Sequence, residues 1–175
     1  MNLPNWITVV RIALVPVFLV LAYGHSTVSA LLAFLLFVLA SATDSLDGRL
    51  ARRRGQTTRT GSFLDPLADK LLLGAALVVL VDHRGFPLWT ALVIACREVA
   101  VQILRTQIVR GGGDLPASPA GKLKTVLQSI MVGWWLLPWK QNPGHWILLV
   151  VVLVVTLWSG GEYFVRARNV RKVAP

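Results

Sequence analysis

The sequence predicts an all-α integral membrane protein, a bundle of six transmembrane helices, and three observations lead there. The 175 residues are 55% hydrophobic and only 15% charged, with a mean hydropathy of +0.63, too apolar for a soluble domain of this length. Apolar runs of membrane-crossing length alternate with short polar breaks. The Lys and Arg residues gather at alternate breaks, as membrane topology requires.

The apolar runs cover roughly residues 5–24, 27–52, 61–82, 86–110, 119–140 and 144–168. Each is long enough to cross about 30 Å of hydrocarbon at about 1.5 Å per residue. The length allows one domain, expected to span residues 1–175, and no internal repeat is seen. The first run has no basic start, carries Arg11 in its middle and lacks a small-residue cleavage site, so it is expected to be a retained helix rather than a signal peptide. Pro4 suits a first helical turn, and Asn5, Thr8 and Arg11 follow on one face.

The second run begins after Gly24-His25-Ser26 and reaches Asp44 about 25 Å further on. The third begins near Gly61, with Asp65 and Asp69 about 6 and 12 Å along it. The four carboxylates are therefore expected at one depth, just inside one membrane face. The fourth run holds Arg97, Glu98 and Arg105, charges too deep in a bilayer to be idle. Arg97 and Glu98, as sequence neighbours, need not pair, and Arg105 follows two turns after Arg97. Gly111-Gly112-Gly113 makes a turn, and the fifth run opens on Ser118 to Gln128, whose Gly-Lys pair lacks phosphate-loop spacing. The sixth run is rich in Val and Leu and carries Glu162 near its inner end.

On the opposite side Trp89, Trp139 and Trp146 form an expected aromatic belt. His25, His83 and His145 each fall alone at a break there and are read as interfacial side chains, not metal ligands. Cys96 lies within an apolar run; as the only cysteine it cannot form an intramolecular disulfide, and its expected role is packing.

A net charge of +10 raises nucleic acid as a partner, but the basic residues sit at the breaks rather than along one soluble face. Arg49, Arg52, Arg53, Arg54 and Arg59 surround the second break, Arg110, Lys122 and Lys124 the fourth, and Arg166, Arg168, Arg171 and Lys172 the C-terminal end. The other side has only Arg84 and Lys140. The positive-inside rule puts the first set, and with it both termini, in the cytoplasm at the cell membrane. Membrane lipids, some of them anionic, are the expected surroundings.

The chemistry concentrates between Asp44 and Asp69, where half of the eight acidic residues lie. Asp44 and Asp47 are three apart and Asp65 and Asp69 four apart, so on two helices each pair projects from one face. Four converging carboxylates repel one another unless cations hold them, and hard oxygen donors without His or Cys suit two Mg²⁺ or Mn²⁺ ions. Gly48, Ala51 and Gly61 leave room for a bulky substrate beside them, and Arg52 and Thr58 suit its phosphates. A cation transporter using membrane aspartates is the reading from another class, but Thr27 to Thr43 and Leu71 to Val81 contain no ionisable group that would continue a path across.

Asp44, Asp47, Gly48, Ala51, Arg52, Gly61, Asp65 and Asp69 fill every specified position of a spaced signature, and on these residues the chain resembles the CDP-alcohol phosphotransferase family. The resemblance implies a homodimer of six-helix subunits that transfers a phosphatidyl group from CDP-diacylglycerol to an alcohol and releases CMP. Asp44, Asp47, Asp65 and Asp69 would hold the metals, with Asp69 also the base. Gly48, Ala51, Arg52, Thr58 and Gly61 would bind the CDP-linked lipid, together with Asn5 and Thr8 in a first-helix motif. Leu64-Asp-Pro-Leu-Ala-Asp-Lys70, Arg97-Glu98 and Gly121 to Gln128 resemble most the bacterial members whose acceptor is glycerol 3-phosphate. Same-fold enzymes that make cardiolipin or phosphatidylinositol phosphate are the alternatives. Arg97, Arg105, Lys122 and Lys124 are expected to hold the acceptor's phosphate.

Overall fold

The structure, a computed structural model, describes residues 3–53, 59–113, 115–116 and 118–173; the side chains of 3–8, 44–53, 59–67, 69 and 171–173 lie outside that description. Among the described residues the chain forms six helices and no strand: α1 (Leu3–Ala22), α2 (Thr27–Arg53), α3 (Arg59–His83), α4 (Leu88–Arg110), α5 (Pro119–Leu136) and α6 (Pro143–Val173). Two bounds differ from expectation by several residues. α5 stops at Leu136 rather than near 140 because Pro138 has no N–H to donate and disfavours helical geometry at Leu137. α6 continues beyond 168, and its polar end carries a Glu162–Arg166 ion pair one turn apart. One described helix, Pro143–Val170, is by itself long and apolar enough to cross a membrane, with shorter apolar stretches at Val9–Ala22 and Thr27–Thr43.

The chain divides into two compact units, and the boundary falls within α5. The first comprises Met1–Phe86 and Val132–Lys140. In it α1 packs on α2 and α3, and α2 on α3. Ala22, Ala30, Ala33, Ala40, Ala68 and Ala76 are buried, and their small side chains let the helix backbones approach. Phe18 and Phe37 fill the space between, ring centroids 6.2 Å apart. Arg11 is buried and engaged with neighbours rather than reaching to the surface. At the end of α3 the chain reverses at Gly85, whose φ of 66° suits a residue without Cβ, and the Phe86 N–H closes back on the Leu80 carbonyl at 3.0 Å. Because α1 packs on α3, His25 and His83 meet with ring centroids 5.3 Å apart, and Tyr23 stands edge-on to His83 at 5.4 Å. The expectation that each histidine stands alone is corrected for this pair.

The second unit comprises Pro87–Met131 and Gln141–Pro175. α4 packs on α6 around Val101, Ile108, Leu115, Tyr163 and Ala167, with Leu104 and Val170 at the margin. Gly112, at φ 79°, turns the chain out of α4. Ser118 caps α5: its Oγ accepts the Gly121 N–H at 3.0 Å, and Pro119 follows at the first helical position. Asn142 caps α6 by accepting the Gly144 N–H at 2.9 Å. His145 is buried there, its Nδ1 accepting the Asn142 N–H at 3.2 Å, so its place is a helix start rather than an exposed interface. Cys96 is exposed instead of packed inside.

Candidate active site

α2 carries Asp44, Asp47, Gly48, Ala51 and Arg52, α3 carries Gly61, Asp65 and Asp69, and α1 carries Asn5 and Thr8. Their side chains lie outside the described residues, as does Thr58 altogether. Helix register nevertheless places the four aspartate positions. Each is seven residues from a buried core residue of the first unit: Asp44 from Phe37, Asp47 from Ala40, Asp65 from Leu72 and Asp69 from Ala76. Seven residues return to within about 20° of the same direction on a helix. The four positions therefore share the helical register of those core residues on α2 and α3, two helices that pack on one another and on α1. Carboxylate oxygens without His or Cys are the donor type that suits hard divalent ions.

The second unit contains a polar cluster that no spacing rule announces. Arg97 and Lys124 both donate to the same oxygen, Glu98 Oε1, Arg97 from Nη1 at 3.2 Å. Arg97 Nη2 also donates to Ser159 Oγ of α6 at 2.8 Å, and Ser159 in turn donates to the Thr156 carbonyl at 3.1 Å. Gly160 lies beside Arg97, where a Cβ would make an ordinary contact 3.4 Å from Arg97 Cγ. The Tyr163 ring faces the guanidinium at 5.8 Å, and its hydroxyl accepts the Ser118 N–H at 3.1 Å. Lys124, 3% exposed, gives up water for this pairing.

The four cations expected at the acceptor phosphate thus divide. Arg97 and Lys124 turn inward to Glu98, whereas Arg105 and Lys122 are exposed. Lys122 and Lys124 are two residues apart, about 200° around a helix, so one cannot follow the other inward. Glu98, Ser159 and Tyr163 were not expected in the cluster. Their only signal in the sequence is the depth of Glu98 and the spacing of Ser159, Gly160 and Tyr163 on one face of α6.

The CDP-alcohol phosphatidyltransferase family model matches residues 1–158, and the chain belongs to that family. Similar proteins carry more specific names. One of Bacillus subtilis, named CDP-diacylglycerol--glycerol-3-phosphate 3-phosphatidyltransferase, is 41% identical over 180 residues, 93% of each chain. One of Escherichia coli with the same name is 37% identical over 178 residues, 95% of each chain. A Mycobacterium tuberculosis protein named probable phosphatidylglycerophosphate synthase is 39% identical over 172 residues, 95% of this chain and 81% of the relative.

Proposed function

We propose that this chain transfers the phosphatidyl group of CDP-diacylglycerol to glycerol 3-phosphate, giving phosphatidylglycerophosphate and CMP. The observation that carries the reading is identity of 37–41% to enzymes of that name along 93–95% of the chain, with the eight-residue aspartate signature complete. The enzyme is a homodimer in the cell membrane, each subunit one catalytic domain, residues 1–175, of six spanning helices. Its active site and both termini face the cytoplasm. Large apolar side chains turned outward support this setting: Val20 is 76% exposed, Leu39 65% and Trp158 65%.

In the reaction the acceptor's C1 hydroxyl oxygen attacks the phosphorus that bears the diacylglycerol. The bond from that phosphorus to the oxygen bridging to CMP breaks, and CMP leaves with the electron pair. Asp69 takes the hydroxyl proton. Two Mg²⁺ or Mn²⁺ ions, held by Asp44, Asp47, Asp65 and Asp69, would neutralise the diphosphate and favour the build-up of charge on the departing CMP. Asp69 has to accept a proton and is therefore the ligand least committed to metal. Asn5, Thr8, Arg52 and Thr58 bind the CDP-linked lipid, with Gly48, Ala51 and Gly61 leaving room for it. Arg97 and Lys124 meet the acceptor's phosphate, sharing Glu98 as counter-charge, and the exposed Arg105 and Lys122 draw the dianion in.

The test is CMP release by purified protein with CDP-diacylglycerol, Mg²⁺ or Mn²⁺ and one acceptor at a time. Glycerol 3-phosphate is expected to give the fastest release. Faster turnover with inositol phosphate or phosphatidylglycerol would sink this assignment while leaving the family intact.

A further inference from the structure

Gln128 lies on α5 one turn beyond Lys124 and two turns beyond Gly121, on the face that meets Glu98 and Tyr163. It is 3% exposed, and among the described residues neither its Nε2 nor its Oε1 has a hydrogen-bond partner. Thr156 of α6 is 0% exposed, and its Oγ1 is likewise without a partner among the described residues. The two share a level. α5 and α6 are joined by the short segment 137–142 and run antiparallel; Gly121 abuts Tyr163, with a Cβ there 3.1 Å from the ring. Gln128 is seven residues on from Gly121 and Thr156 seven back from Tyr163, about 10 Å along each helix.

A buried amide with donor and acceptor both uncommitted costs free energy unless a ligand or water uses it. Such an amide matches a hydroxyl group, which also donates and accepts. We propose that Gln128 is a specificity-determining residue that recognises the C2 hydroxyl of the acceptor, the hydroxyl that does not react, with Thr156 beside it. This rests on the proposed glycerol 3-phosphate reading: with the phosphate at Arg97 and Lys124, the next carbon bearing oxygen falls about one helical turn from Lys124.

The experiment compares glycerol 3-phosphate with 3-hydroxypropyl phosphate, which keeps the phosphate and the reacting primary hydroxyl and lacks only the C2 hydroxyl. Wild-type protein should favour glycerol 3-phosphate in kcat/KM by about 10- to 100-fold, the range for leaving buried partners unpaired. Gln128→Leu should lose most of that preference, falling on glycerol 3-phosphate and staying within about twofold on the analogue, a split that a merely structural role would not produce. Should Gln128→Leu lose the wild-type thermal transition, Gln128→Met, closer in shape, carries the same comparison. Equal loss on both acceptors, or a wild type indifferent to the C2 hydroxyl, would overturn this inference alone. No CMP release by wild type with glycerol 3-phosphate would overturn the parent reading and this one with it.

Discussion

Lys124 of α5, itself buried, forms an ion pair with the partly buried Glu98 of α4, and Arg97 donates to the same carboxylate oxygen at 3.2 Å. Two cations on one carboxylate leave the cluster with one net positive charge, and Ser159 and Tyr163 of α6 hold Arg97 from the other side. The arrangement ties three helices of the second unit together through charge rather than apolar packing.

Removing the shared carboxylate should therefore be costly. Glu98→Ala is expected to lower stability by about 1–3 kcal/mol, because it removes a counter-charge from Lys124, which is 3% exposed, while Glu98 itself keeps some contact with solvent. The double variant Glu98→Gln with Lys124→Met should recover part of the loss. Thermal unfolding in detergent checks both; a double variant no more stable than Glu98→Ala would show that the pair is not the source of the effect.

The aspartate signature gives a sharper functional outcome. Asp44→Ala, Asp47→Ala and Asp65→Ala are each expected to abolish CMP release without rescue by excess metal, whereas Asp69→Asn keeps CDP-lipid binding and loses turnover. Wild-type rates for any of the three Ala variants in metal-buffered micelles would refute the two-metal arrangement.

Orientation in the membrane can be read from a single thiol. Gly111 has an ordinary φ of -80°, and a Cβ there would meet only backbone oxygens at 3.5 Å, so Gly111→Cys should fold without strain. The neighbouring Gly112, at φ 79°, would not tolerate the change as well. The exposed Cys96 has to be replaced first, by Ser. An impermeant thiol reagent should then label Gly111→Cys only after cells are opened, and labelling of intact cells would invert the topology.

Tyr163→Phe should cost about 1–3 kcal/mol, because the buried Ser118 N–H donates to the Tyr163 hydroxyl and would lose its acceptor. Gly121→Ala presses on the same contact, its new Cβ 3.1 Å from Tyr163 Cε2 and 3.3 Å from Ser118 Oγ. The two losses should be less than additive when combined, since each releases the strain or the bond that the other disturbs. Melting of the single and double variants checks this.

The sequence by itself determined the helices and the family. Helix runs, caps and prolines act over a few residues, and the signature is a matter of spacing along two helices. Even the heptad that links Asp44 to Phe37 and Asp69 to Ala76 can be counted along the chain once the core is known. Only the tertiary structure decided how each helix is rotated and what its long side chains reach. That is why Lys124 turns inward while Lys122 stays exposed, why Glu98 takes Arg97 and Lys124 together, and why His25 meets His83 across 58 positions of chain. Charge has no period of its own: a lysine pairs, binds substrate or meets water according to neighbours that packing brings from elsewhere in the chain.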